Sequence, residues 1–96
     1  MTFVQTIAFS TSKMDEMMKL MEDWSDEGSD SPGFRNSRVV KDRDNEDRYL
    51  VIVEFDSYEV AMQNSARPET DAFSKRMAEL SDGPAVFGNY DVIRED

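Results

Sequence analysis

The side chains available for chemistry in this 96-residue chain are limited, because it contains neither cysteine nor histidine. It therefore lacks thiolate nucleophiles, the usual zinc and haem ligands and the usual general base. Any catalysis must use tyrosine, arginine, amide or carboxylate groups, or the chemistry of a bound substrate. Tyr49 and Tyr90 could donate a hydrogen bond to an oxyanion, although a tyrosine in a strand is more often a core residue with a hydrated hydroxyl.

Charged candidates lie on both sides of Pro68, where two helical segments are predicted to meet. Arg67 could pair with an anionic substrate, but a surface salt bridge is the more common role of such a residue. Glu69 or Asp71 could act as a base if burial raised its pKa, but acids in the first turn of a helix ordinarily stabilise that end. The acidic run over residues 42–47 lacks the spacing and central glycine of a calcium loop, and we interpret it as an exposed hairpin connection.

The first part of the chain is predicted to form a strand and a helix. Apolar residues and β-formers alternate over residues 3–9, and Ser12 is placed to cap the following helix. That helix ends near Gly28, before a turn-rich segment over residues 28–33. It carries a stripe at spacings of three and four, which indicates either core packing or an adaptable wall for an apolar ligand: Met14, Met17, Met18, Met21 and Trp24.

The rest of the chain is predicted to form a hairpin, a broken helix and a last strand. The hairpin strands cover residues 35–43 and 48–55, and the second is apolar on both parities, which is typical of a central strand buried on both faces. Ser57 caps a short helix to about residue 66, and Pro68 interrupts it. A helix over residues 69–80 then carries Phe73, Met77 and Leu80 inward, and residues 85–93 form the last strand.

This βαββαβ order predicts a single α+β domain over residues 1–96 with a ferredoxin-like fold. Its four-stranded antiparallel sheet would carry the helices on one face only. Several strands are apolar on both parities, so the face without helices should also be removed from water. A second copy of the same sheet is the simplest cover, which predicts a homodimer through the sheet face; the alternative is a monomer with an exposed apolar sheet.

The formal net charge of −10 argues against nucleic acid and membrane partners, because both attract clustered lysine and arginine. No apolar run approaches the roughly 18 residues that a membrane span requires. The N-terminal residues lack a basic segment followed by a long apolar stretch. We therefore expect a cytoplasmic protein.

Two segments carry a family resemblance that extends over nearly the whole chain. The first segment is Ser31-Pro32-Gly33-Phe34, which leads into the second strand. The second covers residues 48–57, in which a strand is followed by Ser57, and it continues to Glu59. In these features the chain resembles the antibiotic biosynthesis monooxygenase (ABM) family of dimeric α+β barrels. The resemblance implies a pocket between the sheet and the helices, used in relatives either to oxidise polycyclic aromatics without metal or flavin, or to degrade haem. We expect no cofactor.

The departures from the family pattern narrow the activity that the resemblance implies. Asn64 and Glu69 stand where helix histidines are common, Ile7 stands where haem-degrading relatives place an asparagine, and Phe55 replaces a common tryptophan. Haem degradation through a histidine ligand is therefore disfavoured. Asn64 could instead hydrogen-bond a substrate carbonyl or enolate oxygen, or could be a capping or exposed amide. The predicted pocket lining lies around it: Trp24, Met21, Phe55, Phe73 and Arg67.

Three functions stay open on the sequence. The first is a small-molecule pocket protein, acting as a cofactor-independent monooxygenase on an apolar or aromatic metabolite. The second is a non-catalytic dimerisation or interaction module with a vestigial pocket, which the loss of both histidine positions favours. The third is an isomerase or decarboxylase, which would require a pocket carboxylate or tyrosine with a shifted pKa.

Overall fold

The computed structural model describes residues 2–28 and 33–95, except for the side chains of residues 24–28. Four strands form one antiparallel sheet in the order β2-β3-β1-β4. This order is that of the ferredoxin-like split βαβ arrangement, so the predicted α+β fold is confirmed. The elements in chain order are β1 (Phe3–Ser10), α1 (Met14–Gly28), β2 (Phe34–Lys41), β3 (Arg48–Phe55), α2 (Tyr58–Ser65), α3 (Pro68–Leu80) and β4 (Val86–Asp91).

Strand β3 lies inside the sheet, between β1 and β2, as its apolar character on both parities predicts. Its alternate residues Val51, Val53 and Phe55 are buried on the face that the helices cover. Leu50 and Ile52 lie on the opposite face and are only partly buried. The sheet therefore has one face packed in the core and one face without helices.

The methionine stripe of α1 is narrower than its spacing suggests. Met17 is fully buried and Met21 is nearly so, whereas Met18 keeps 41% of its surface exposed. Adjacent residues of an α-helix point about 100° apart, so Met18 turns away from the face that Met17 presents to the core. Met17 and Met21 pack in the same buried cluster as Met77 and Leu80 of α3.

The connection from β1 to α1 is fastened by Thr11. Its buried hydroxyl accepts a hydrogen bond from the Lys13 backbone N–H at 3.0 Å and donates one to the Leu80 carbonyl at 2.6 Å. The neighbouring Ser12, predicted to cap α1, is exposed. The Asp82 N–H also donates to the Ser10 carbonyl at 2.7 Å, so the end of α3 is held against the end of β1.

Replacing Thr11 by valine is expected to lower the free energy of unfolding by about 1–3 kcal/mol, because it leaves the buried Leu80 carbonyl without its hydroxyl donor. Urea unfolding monitored by circular dichroism measures this loss. Ser12→Ala is the matched control and should change the free energy by less than about 0.5 kcal/mol. A larger cost for Ser12→Ala than for Thr11→Val would show that Ser12 is the more important residue.

The helices α2 and α3 are separated by a short break that follows from local signals. The Ser57 hydroxyl accepts a hydrogen bond from the Val60 N–H at 3.2 Å, which confirms the predicted cap of α2. The Arg67 N–H donates to the Asn64 carbonyl at 3.1 Å, and Pro68 occupies the first turn of α3, where its missing N–H costs least. None of the helices in the described part of the chain is both long and apolar enough to cross a membrane.

Candidate functional site

A cavity of about 270 Å³ lies between the helices and the sheet. Its floor is mainly apolar and comes from the core-facing residues of all four strands, Ile7, Val39, Val51, Val53, Phe55 and Phe87. Its roof comes from the three helices. Met21 of α1, Asn64 of α2, and Phe73 and Met77 of α3 contribute to that roof.

One row across the floor is partly polar. Gln5 of β1 and Ser37 of β2 both pair with Val53 of β3, so they flank it on the same face of the sheet. Both side chains line the cavity. Neither residue was predicted from the sequence. The sequence pattern that could have identified Gln5 is that it lies on the same face of β1 as Phe3 and Ile7, where a core residue would be expected.

Asn64 is the most buried polar residue of the cavity, with 7% of its surface exposed. It lies one turn after the fully buried Ala61, so both residues occupy the face of α2 that packs inward. The side-chain amide carries donor and acceptor groups and lies within a largely apolar enclosure.

The α3 side of the cavity adds hydroxyl groups and a carboxylate. Thr70 and Ser74 line the cavity beside Asp71, which is the one charged side chain in the lining among the described residues. The Asp71 Oδ2 atom lies 3.0 Å from the Lys75 Nζ atom, and both side chains are largely exposed. This ion pair therefore lies where the cavity meets solvent.

Four of the predicted site residues meet at the cavity. Met21, Phe55, Asn64 and Phe73 all contribute to its lining, although the first and last of them are more than half the chain apart. The side chain of Trp24 lies outside the described residues, so its predicted place in the lining stays a prediction.

Two further predicted site residues, Tyr49 and Arg67, do not line the cavity. Tyr49 lies on the helix side of the sheet and stacks on Phe9, with ring centroids 5.8 Å apart and an interplanar angle of 25°. Arg67 precedes α3, and its Nε atom lies 3.2 Å from the Glu69 Oε2 atom in a partly exposed ion pair. A surface salt bridge of this kind was the alternative role predicted for Arg67 from the sequence.

Tyr90 lies on the opposite face of the sheet from the cavity. It pairs with Val4, whose neighbour Gln5 faces the cavity, so strand alternation directs Tyr90 away from it. Its ring lies over Gly88, where an added Cβ atom would approach the Tyr90 ring to 2.7 Å and the Thr6 Oγ1 atom to 2.6 Å. Tyr90 keeps 58% of its surface exposed and does not line the cavity, because the sheet separates them.

Titratable groups give no second site in the described part of the chain. The pKa of Asp42 is lowered because its carboxylate accepts hydrogen bonds from the Asp44 backbone N–H and the Asn45 side chain. Asp42 is partly exposed and residues 43–47 are exposed in the connection from β2 to β3, as the sequence predicted for that run. No set of three or more acidic residues in the described ranges is arranged to hold a metal ion.

The fold closely matches several solved structures. SnoaB, a cofactor-independent oxygenase from Streptomyces nogalater, superposes with a TM-score of 0.86 at 15% identity over 98% of this chain and 95% of SnoaB. A Caulobacter crescentus protein provisionally assigned as an antibiotic biosynthesis monooxygenase gives a TM-score of 0.85 at 16% identity, over 97% of this chain and 91% of its own. A Nitrosomonas europaea protein with the same provisional assignment gives 0.83 at 11% identity, over 96% and 90%.

At these identities the likeness establishes the fold, and it supports the resemblance stated from the sequence. The protein is therefore an α+β domain with the fold of the ABM proteins. No family sequence model and no curated protein sequence matches the chain.

Proposed function

We propose that the protein binds a compact apolar or aromatic metabolite in the cavity and oxidises it with O₂ as a cofactor-independent monooxygenase. The observation that carries this proposal is the buried amide of Asn64 in the lining of a largely apolar cavity. Small-molecule sites commonly combine apolar walls with a few polar groups. The volume of about 270 Å³ lies near the lower limit of about 300 Å³ for such sites, which favours a ligand of about two fused rings.

The proposed reaction draws its electrons from the ligand. A hydroxylated aromatic loses its hydroxyl proton to solvent, and the ring carbon para to that oxygen reacts with O₂ to form a C–O bond. Cleavage of the O–O bond leaves one oxygen as a quinone carbonyl and releases the other as water, which takes up the proton from the solvent and the hydrogen of the ring carbon. The Asn64 amide would donate a hydrogen bond to the phenolate oxygen and stabilise the developing anion.

Oxygen consumption with a panel of one- and two-ring phenols whose para carbon is unsubstituted tests the proposal, and 1,5-dihydroxynaphthalene is the reference substrate. We expect one O₂ to be consumed per quinone formed, followed with an oxygen electrode and by absorbance. Asn64→Ala should lower kcat/KM by about 100-fold, as removal of an oxyanion donor does elsewhere. Asn64→Ser keeps a hydroxyl donor, so its kcat/KM should lie between those of wild type and Asn64→Ala.

Asn45→Ala is the matched control, because Asn45 is exposed in the connection from β2 to β3. It should leave kcat/KM unchanged. Thermal unfolding of every variant distinguishes lost chemistry from lost fold. If wild-type protein binds members of the panel but consumes no O₂ above the uncatalysed rate, the result would contradict the monooxygenase proposal and favour a non-catalytic module. Full activity of a folded Asn64→Ala variant would instead contradict the role of Asn64.

We also propose that two copies pair through the sheet face that carries no helices. One row of side chains on that face is apolar across all four strands, and a monomer would leave it against water. The row consists of Val86, Ala8, Leu50 and Val40. This pairing is compatible with the catalytic and the non-catalytic function alike, so it has its own test, which follows in the Discussion.

A further inference from the structure

The polar groups of the cavity lining are almost all uncharged. Gln5, Ser37, Asn64 and Thr70 offer hydrogen-bond donors and acceptors without net charge. Among the described residues the lining includes no lysine or arginine, and its one charge is the carboxylate of Asp71. The charge of the nearby Lys75 is already matched by Asp71 at 3.0 Å.

We infer that this site selects a neutral ligand over a carboxylated one of the same shape, and that Asp71 is the residue that sets this specificity. The inference rests on the proposed function, because it takes the cavity to be the binding site. It adds the charge class of the ligand, which the fold does not indicate.

A carboxylate that enters the cavity loses its hydration and meets no unmatched cation in exchange. Desolvation of a charged group is unfavourable unless an opposite charge or several strong donors replace the lost water. Asp71 neutralises Lys75 at the mouth, so this pair offers no net positive charge to the ligand, and the net charge of −10 adds a repulsive field around the whole molecule. A neutral hydroxyl needs only the amide and hydroxyl partners that the lining provides.

The phenolate of the proposed reaction is a different case from a carboxylated ligand. Its charge arises only after binding, is delocalised over the ring and is stabilised by the amide of Asn64. The specificity therefore concerns the form in which the ligand enters the cavity.

The binding of 2-naphthol and 2-naphthoate at pH 7, measured by isothermal titration calorimetry, tests the inference. The two probes are similar in shape, and only the second is ionised at this pH. We expect 2-naphthol to bind at least about tenfold more tightly, because the carboxylate of 2-naphthoate loses its hydration in the cavity and gains no matching cation from the lining. Asp71→Asn leaves Lys75 unpaired at the mouth and should tighten 2-naphthoate about tenfold, with 2-naphthol changed less than twofold.

Glu79→Gln is the matched control. It removes the same charge from the same helix, where the Glu79 Oε2 atom pairs with the Arg76 Nη1 atom at 2.9 Å outside the cavity lining. It should leave the ratio of the two affinities unchanged. Asp71 is 62% exposed, so its variant should fold, and Asp71→Ser gives a second test of the same charge.

Each outcome separates the inference from the proposed function. Equal affinity of wild type for the two probes overturns the charge selectivity and leaves the proposed function intact. An equal response of Asp71→Asn and Glu79→Gln overturns the role of Asp71. Failure of both probes to bind overturns the cavity as a ligand site, and with it the proposed function.

Discussion

Gly33→Ala is expected to lower the free energy of unfolding by about 2–6 kcal/mol, a large part of the 5–15 kcal/mol that a small domain has. Two causes add. Gly33 has φ of +80°, where a residue with a Cβ atom is strained by about 1–3 kcal/mol. The new Cβ atom would also overlap the side chain of Val60, and such overpacking typically costs about 1–3 kcal/mol. Urea and thermal unfolding measure the loss.

Gly83→Ala is the matched control, because Gly83 also has positive φ, at +119°, but no atom lies within 4 Å of an added Cβ atom. It should show the backbone cost without the steric one. Val60→Ala in combination with Gly33→Ala should recover part of the steric loss. If the two single glycine variants lose the same free energy, Val60 does not restrict the site.

The same glycine explains why the two family-like segments occur together. The Gly33 carbonyl accepts a hydrogen bond from the Asp56 N–H at 2.8 Å, and the Phe34 ring meets the Phe55 ring edge to face at 6.1 Å. The start of β2 is thereby fastened to the end of β3, next to the cap of α2. Ser31 and Pro32 lie outside the described residues. The described part of these segments therefore maintains the fold, which is why they identify an architecture more readily than an activity.

Local signals were sufficient for much of the fold. The bounds of β3 follow from its apolar run, and the start of α2 follows from Ser57, because both depend on residues close in sequence. Ser12 was predicted to cap the start of α1, but the side-chain hydrogen bonds at this connection are made by the neighbouring Thr11. That choice depends on the Leu80 carbonyl, which lies 69 residues away and is brought close only by the tertiary fold.

A residue of the candidate site could be predicted only where its position within a single helix or strand determined that it lines the cavity. Asn64 follows from the inward face of α2, whereas Gln5 and Ser37 become neighbours through strand register. Tyr90 is the opposite case, a residue that was predicted for the site but does not line the cavity. Its residue type suits an oxyanion donor, but its pairing with Val4 decides that it lies on the face away from the cavity. Which face of a sheet a residue occupies is a property of the pairing as well as of its own strand.

The face without helices changes in character from one end to the other. Beyond the apolar row that contains Leu50, the next rows become progressively more polar, and they include Arg38 and Glu54. Neither of these two residues forms an ion pair within the described residues. A two-fold axis through the sheet would place the same surface on both sides, so Arg38 of one copy can approach Glu54 of the other. In the proposed pairing, the apolar row would supply the buried area and the charges would fix the orientation of the two copies.

Ile52→Lys is therefore expected to weaken the proposed pairing by at least about 100-fold, because it places a charge at the centre of the buried sheet face. Sedimentation equilibrium should give wild type twice the monomer mass of 11.1 kDa, and the variant 11.1 kDa at the same concentration. Ile93→Lys makes the same substitution at a residue that is 93% exposed beyond β4, and it should leave the mass unchanged. The thermal midpoint of wild type should rise with protein concentration, as for any dimer whose unfolding is coupled to dissociation. A wild-type mass of 11.1 kDa would contradict the pairing, and dissociation by Ile93→Lys alone would place the contact elsewhere.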